Sequence, residues 1–207
     1  MIEIGENLLQ IAVTVVCLFV SVGRAVRTRG NAWILLSAFY GCWVLGDLYW
    51  VTFLILFEST PAYRYVPDFS WYSSYLLLFL LLRQLLPQYS RRISGVLPWV
   101  GAVFAAGMCV FYMQWGSILS NLICAVLMSM LLLGSISGLT RLRGGDRGRY
   151  GPICSAVLLI CLTEYIAWTV SCFWEGDSFA NPYFYADTLV TLSFVPFLFA
   201  VRRAVRD

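Results

Sequence analysis

Asp47 and Glu164 each fall near the centre of a long apolar run, within a few ångströms of the middle of the helix such a run forms at ~1.5 Å per residue. An ionisable side chain at that depth of a bilayer costs at least about 2.5 kcal/mol on insertion scales, and such residues typically mark ion, proton or ligand pathways. Each acid has a tryptophan one helical turn further on, Trp50 at i+3 and Trp168 at i+4. Tyr40 and Trp43 share the stripe of Asp47, and Cys161 and Ser171 share that of Glu164. Neighbouring runs can add Trp71, Ser74 and Tyr75, Ser117 and Asn121, and Thr188 and Thr191. Carboxylates lined by aromatic rings suit a cation or a small amine, held by charge pairing and by cation–π contact. The same residues also admit a structural reading, in which both acids are protonated and hydrogen-bonded to tyrosine, threonine or water so that they tie helices together.

Other chemistries are excluded by residues the chain lacks. It contains neither lysine nor histidine, so a retinal Schiff base, a histidine zinc centre and Ser/His/Asp or Cys/His nucleophile systems cannot be built. Gly144-Gly145-Asp146-Arg147-Gly148 reads as a polar loop between helices, not as a phosphate loop after a strand. The seven cysteines (17, 42, 109, 124, 154, 161 and 172) lie within or at the ends of apolar runs, without C-x-x-C spacing, and read as buried thiols. The expectation is a chain that is not an enzyme and holds no metal or cofactor. The net charge of +3 sits in short loops and not on a soluble basic stripe, so no nucleic-acid partner is expected.

The elements that must position the two acids are membrane helices. Hydrophobic residues make up 60% of the 207 and charged residues 12%, against about 45–50% and about 25% in a soluble domain. Apolar runs at roughly 7–23, 32–57, 68–86, 93–113, 116–138, 152–174 and 187–201 come close to or exceed the ~20 residues a spanning helix needs. They predict an all-α polytopic protein with seven transmembrane helices in a single membrane domain, 1–207. Glu3 and Glu6 precede the first run and its basic cluster follows it, which is the wrong polarity for a cleaved signal. Arginines 24, 27, 29, 83, 91, 92, 141, 143, 147, 149, 202, 203 and 206 follow runs 1, 3, 5 and 7, leaving only Arg64 on the other side. Positive-inside counting therefore predicts an external N-terminus and a cytoplasmic C-terminus, with the arginines setting topology and meeting anionic lipid. A bacterial plasma (inner) membrane is the expected location.

An internal repeat is also legible. Asn7-Leu8 precedes Arg27-x-Arg29-Gly30 as Asn121-Leu122 precedes Arg141-x-Arg143-Gly144. Asp47, Thr52 and Glu58 are spaced like Glu164, Thr169 and Glu175; Tyr63, Tyr65 and Asp68 correspond to Tyr183, Tyr185 and Asp187. Asp68, Ser74 and Arg83 recur as Asp187, Ser193 and Arg202. The sequence thus predicts parallel three-helix repeats, 7–86 and 116–202, joined by an inverting linker helix at 93–113. This 3+1+3 plan resembles that of SWEET-type sugar transporters, PQ-loop proteins and the KDEL receptor, and more loosely the opsins. The resemblance is one of plan across the whole chain, not of motif, since Pro87-Gln88 lies past the third run and has no counterpart in the second half.

What the resemblance implies is a small-molecule transporter or permease, proton- or cation-coupled through the two carboxylates, working by rocking of the repeats. The candidate ligand set, read from depth and helical spacing, is Asp47, Glu164, Trp43, Trp50, Trp168, Tyr40, Tyr75, Ser171 and Asn121. Two alternatives stay open: a seven-helix sensor or receptor module that signals to a separate membrane partner, and a structural subunit of a membrane complex. Gly134-x-x-x-Gly138 and Gly101-x-x-x-Ala105 read as packing inside the monomer, with a homodimer seam as the other use of such motifs.

Overall fold

A computed structural model describes residues 2–61, 65–93, 95–174 and 176–205. The described residues form seven α-helices: α1 (Ile2–Thr28), α2 (Asn31–Phe57), α3 (Tyr65–Leu85), α4 (Leu97–Tyr112), α5 (Ile118–Arg141), α6 (Gly144–Ser171) and α7 (Pro182–Val205). A single 3-10 turn, Gln88–Ser90, follows α3, and no strand occurs among the described residues. Five helices, α1, α2, α5, α6 and α7, are long and apolar enough to cross a membrane, which points to a membrane protein. The other two fall short of that standard for different reasons. With 16 residues, α4 is about 24 Å long, under the ~30 Å of a hydrocarbon core. The 21 residues of α3 are long enough, but Asp68, Tyr72, Ser74 and Tyr75 lower its hydropathy.

Helix ends extend past the apolar runs. α1 begins at Ile2, α6 at Gly144 and α7 at Pro182, so Gly144–Gly148 is the first turn of a helix and not a loop. Helical hydrogen bonding does not stop where hydropathy does; polar residues continue a helix when their side chains face the protein or water. Tyr63, Arg64, Glu175 and Arg206, all used in the sequence argument, lie outside the described residues.

The helices pack in chain order, α1 on α2, α2 on α3, α3 on α5, α5 on α6, α6 on α7 and α7 back on α1. This makes a ring of six, with α4 outside it against α5. Phe104 and Tyr112 of α4 reach the α5–α6 seam: Phe104 meets the Tyr165 ring edge-on at 5.1 Å, and the Tyr112 hydroxyl lies 2.8 Å from Thr169 Oγ1. Small residues set the close approaches. A Cβ on Gly101 would fall 2.9 Å from the Leu132 side chain, one on Gly134 3.1 Å from Leu82, and one on Gly138 2.6 Å from Cys154 Sγ. Both small-residue motifs are therefore used within the chain.

α1 is inverted relative to a water-soluble helix. Its buried positions are Glu6, Asn7, Gln10, Thr14, Cys17 and Ser21, a stripe at helical spacing, while Leu8, Val16, Phe19 and Val26 are exposed. Thr14 and Ser21 donate to the carbonyls of Gln10 and Leu18 and so need no partner elsewhere. Arg27, Arg83, Arg141 and Arg202 fall in the last turns of α1, α3, α5 and α7, which collects them at one end of the bundle. That end is filled by Leu36, Phe39, Leu81, Leu82, Val157 and Phe197, all fully buried. The opposite half holds the polar interior.

Candidate functional site

Four carboxyl groups from four helices converge in the half of the bundle away from the arginines. Glu6 stands on α1, Asp47 on α2, Glu164 on α6 and Asp187 on α7; Asp187 lies close enough to feel the charge of the other three, and Asp47 that of Glu6 and Glu164. Asp47 is wholly inaccessible and Glu164 is 3% exposed. The Glu6 and Asp187 carboxyls are neighbours across α1 and α7. Two carboxyls in contact repel unless a proton or a cation lies between them.

The donors present do not satisfy this group. Trp71 of α3 donates its indole N–H to Asp47 Oδ1 at a long 3.4 Å, and Asn7 donates its amide to Glu6 Oε2 at 3.2 Å. The Tyr75 hydroxyl neighbours Glu164. Yet Glu6 Oε1, Asp47 Oδ2 and Glu164 Oε1 are buried without a hydrogen-bond partner, as are Gln10 Nε2, Trp43 Nε1 and Thr191 Oγ1. Buried polar atoms are paired in about nine cases in ten; these six lie on the stripes that carry the acids, and Ser135 Oγ, Ser137 Oγ and the Tyr165 hydroxyl are likewise unpaired elsewhere. No set of three potential metal ligands lies close enough to hold an ion among the described residues. The acids are spread over four helices instead of gathered on a point.

Aromatic rings pack in a chain beside the acids. Trp50 packs against Trp71 at 6.1 Å, Trp71 against Trp43 at 6.2 Å, Trp43 against Tyr75 at 6.2 Å and Tyr75 against Trp168 at 6.3 Å. The belt runs without a break from the helix bearing Asp47 to the helix bearing Glu164. Gly46 makes it feasible: a Cβ there would lie 2.8 Å from Trp71 Nε1, so only glycine lets the indole lie flat on α2 and aim at Asp47. Trp50 donates to Glu3 Oε1 at 3.1 Å, at the end of α1 nearest the surface. Carboxyls thus step inward from Glu3 through Glu6 and Asp187 to Asp47 and Glu164.

The structure brings together Asp47, Glu164, Trp43, Trp50, Trp168 and Tyr75 from the candidate set and leaves three residues apart. Tyr40 is fully buried, but its hydroxyl donates to the Phe194 carbonyl at 2.8 Å and its ring joins the Phe39 cluster. Ser171 is exposed and donates to the Trp168 carbonyl. Asn121 donates to the carbonyls of Tyr112 and Trp115 and so clamps the turn between α4 and α5.

Glu6, Asn7, Gln10, Tyr183 and Asp187 were not singled out as candidates in the sequence. Hydropathy ended the first run before Glu6 and began the last at Asp187, assigning both acids to the outer surface. The spacings Glu6–Gln10–Thr14 and Tyr183–Asp187–Thr191, each i, i+4, i+8, are the signal that both stripes continue into the bundle. No family model, curated protein or solved structure matches the chain.

Proposed function

We propose that the chain is a small-molecule permease whose substrate is an organic cation, exchanged for protons at the four-carboxyl site. The observation that carries this reading is the set of unpartnered carboxylate oxygens on Glu6, Asp47 and Glu164 beside a chain of aromatic rings. With no basic side chain in contact with these acids among the described residues, their charge is balanced either by protons or by a cation. Tryptophan and tyrosine faces add cation–π attraction that a hydrated metal ion does not use. Cation entry displaces protons, which couples the two.

In this reading all seven helices cross the bilayer, with the acid-rich end outside and the arginine-rich end in the cytoplasm. The 3+1+3 repeat is part of the proposal. In support, the Glu6–Asp187 contact between α1 and α7 has a counterpart between α5 and α3, where Ser120 donates to Asp68 Oδ2 at 3.5 Å. Ser74 and Ser193 each donate to the carbonyl three residues back. Helix α4, outside the ring, is the linker.

A ligand-sensing module is the second reading. It is favoured by the one-sidedness of the site: the acids occupy one half of the bundle, and the other half is filled by leucine, valine and phenylalanine side chains. Reconstitution separates the two. Purified protein in liposomes with a trapped pH dye is challenged with tetramethylammonium and guanidinium, neither of which crosses lipid as a neutral base. Exchange raises luminal pH, and Asp47→Asn or Glu164→Gln abolishes the rise. Binding of either cation without flux assigns the sensor role. Absence of both binding and flux with these and with larger amines overturns the cation site.

A further inference from the structure

A second feature lies between α1 and α7 toward the arginine-rich end. They leave a groove of about 510 Å³ whose walls are apolar except at one end. Ala12, Val16 and Val20 of α1 face Val195 and Phe199 of α7 along its length, and Arg24 and Arg202 close it. Neither guanidinium has a partner among the described residues. From Ala12 to Arg24 the groove runs about 18 Å at ~1.5 Å per residue, slightly more than the ~15 Å depth of one leaflet of a ~30 Å hydrocarbon core. Ala12 lies near the middle of α1 and Arg24 in its penultimate turn, so the groove spans from mid-membrane to the interface.

We propose that this groove binds one anionic phospholipid of the arginine-side leaflet, with an acyl chain along the α1–α7 cleft and the phosphate between Arg24 and Arg202. Charge and length together select this occupant. An apolar slot alone takes any acyl chain, but two unpaired guanidiniums lining the same groove at headgroup depth favour a headgroup with net negative charge. A second copy of the chain is the wrong occupant, because a two-fold contact through this face brings four guanidiniums together. The site stands whether the acid cluster carries its ligand across the membrane or senses it.

Native mass spectrometry of the protein released from mixed phosphatidylglycerol and phosphatidylcholine micelles tests the assignment. Wild-type protein retains one phosphatidylglycerol in preference to phosphatidylcholine. Arg24→Gln with Arg202→Gln lowers that preference about 25-fold, two contacts at about 5-fold each. Ala12→Trp fills the slot, leaves both arginines in place and also removes the bound lipid, which separates a groove from general surface attraction. Arg83→Gln, at the same end but off the groove, changes nothing. Glycerol phosphate, a headgroup without chains, does not compete. The proposal falls if phosphatidylcholine is retained equally, if Ala12→Trp keeps the adduct, if Arg83→Gln weakens it as much as the pair does, or if the groove variants alter a dimer population instead.

Discussion

Asp47→Asn isolates the charge at the centre of the acid cluster. Asparagine keeps the volume of aspartate and retains an oxygen for the Trp71 N–H, which donates to Asp47 at 3.4 Å. It removes one of four acids. The other oxygen, Oδ2, has no donor to lose, so the folded state gives up little and thermal stability shifts by no more than about 1 kcal/mol. Binding changes far more. A monovalent cation about 6 Å from the carboxylate gains about 3 kcal/mol at an effective dielectric of about 20, and its loss lowers affinity about 100-fold. The pH dependence has a definite sign. A cation displaces protons from the cluster, so wild-type binding tightens as pH rises, by up to about tenfold per pH unit for each proton displaced. With one acid fewer, Asp47→Asn binds with a shallower slope. The assay is quenching of tryptophan fluorescence by tetramethylammonium and guanidinium across the acid-to-alkaline range, with thermal unfolding in the same detergent as the control for folding. An affinity within about threefold of wild type and an unchanged pH slope would show that Asp47 holds helices together and does not hold a ligand.

Gly46→Ala places a Cβ 2.8 Å from Trp71 Nε1; the indole must shift, costing about 1–3 kcal/mol, and cation affinity falls with Asp47 still present, as fluorescence titration would show. Gly138→Ala drives a Cβ to 2.6 Å from Cys154 Sγ, and thermal unfolding should show a loss of about 1–3 kcal/mol that Cys154→Ala in the same chain largely restores. Tyr40→Phe removes the 2.8 Å hydrogen bond to the Phe194 carbonyl, with an expected cost of about 1 kcal/mol in unfolding and no change in cation binding, which separates this buried tyrosine from the site. Single cysteines at Ser59 and Ser178, on a background without the seven native thiols, should react with an impermeant reagent in intact cells, and one at Arg143 only after lysis; the reverse pattern would invert the proposed topology.

Asp47 and Glu164 could be found from the sequence because a charge inside an apolar run contradicts its neighbours, and that contradiction needs no coordinates to be seen. Their tryptophans followed from helical spacing, and the collection of arginines at one end followed from counting. The all-helical class was fixed in the same local way, by runs too long for strands. Glu6 and Asp187 were hidden for the complementary reason: each lies at the edge of an apolar run, where hydropathy cannot distinguish a helix entering water from one turning a polar face inward. Only the packing of α1 between α2 and α7 decides that the polar stripe of α1 is interior. Tyr40 and Asn121 show the opposite case, since their type and depth suit the site but each donates to a backbone carbonyl away from the acids. The groove ending in Arg24 and Arg202 has no sequence signature, because it is made by the gap between the first helix and the last. Sequence determines which residues are costly to bury. Which of them share one space is decided by how the helices pack, because the distances between side chains on different helices are set only when the bundle closes.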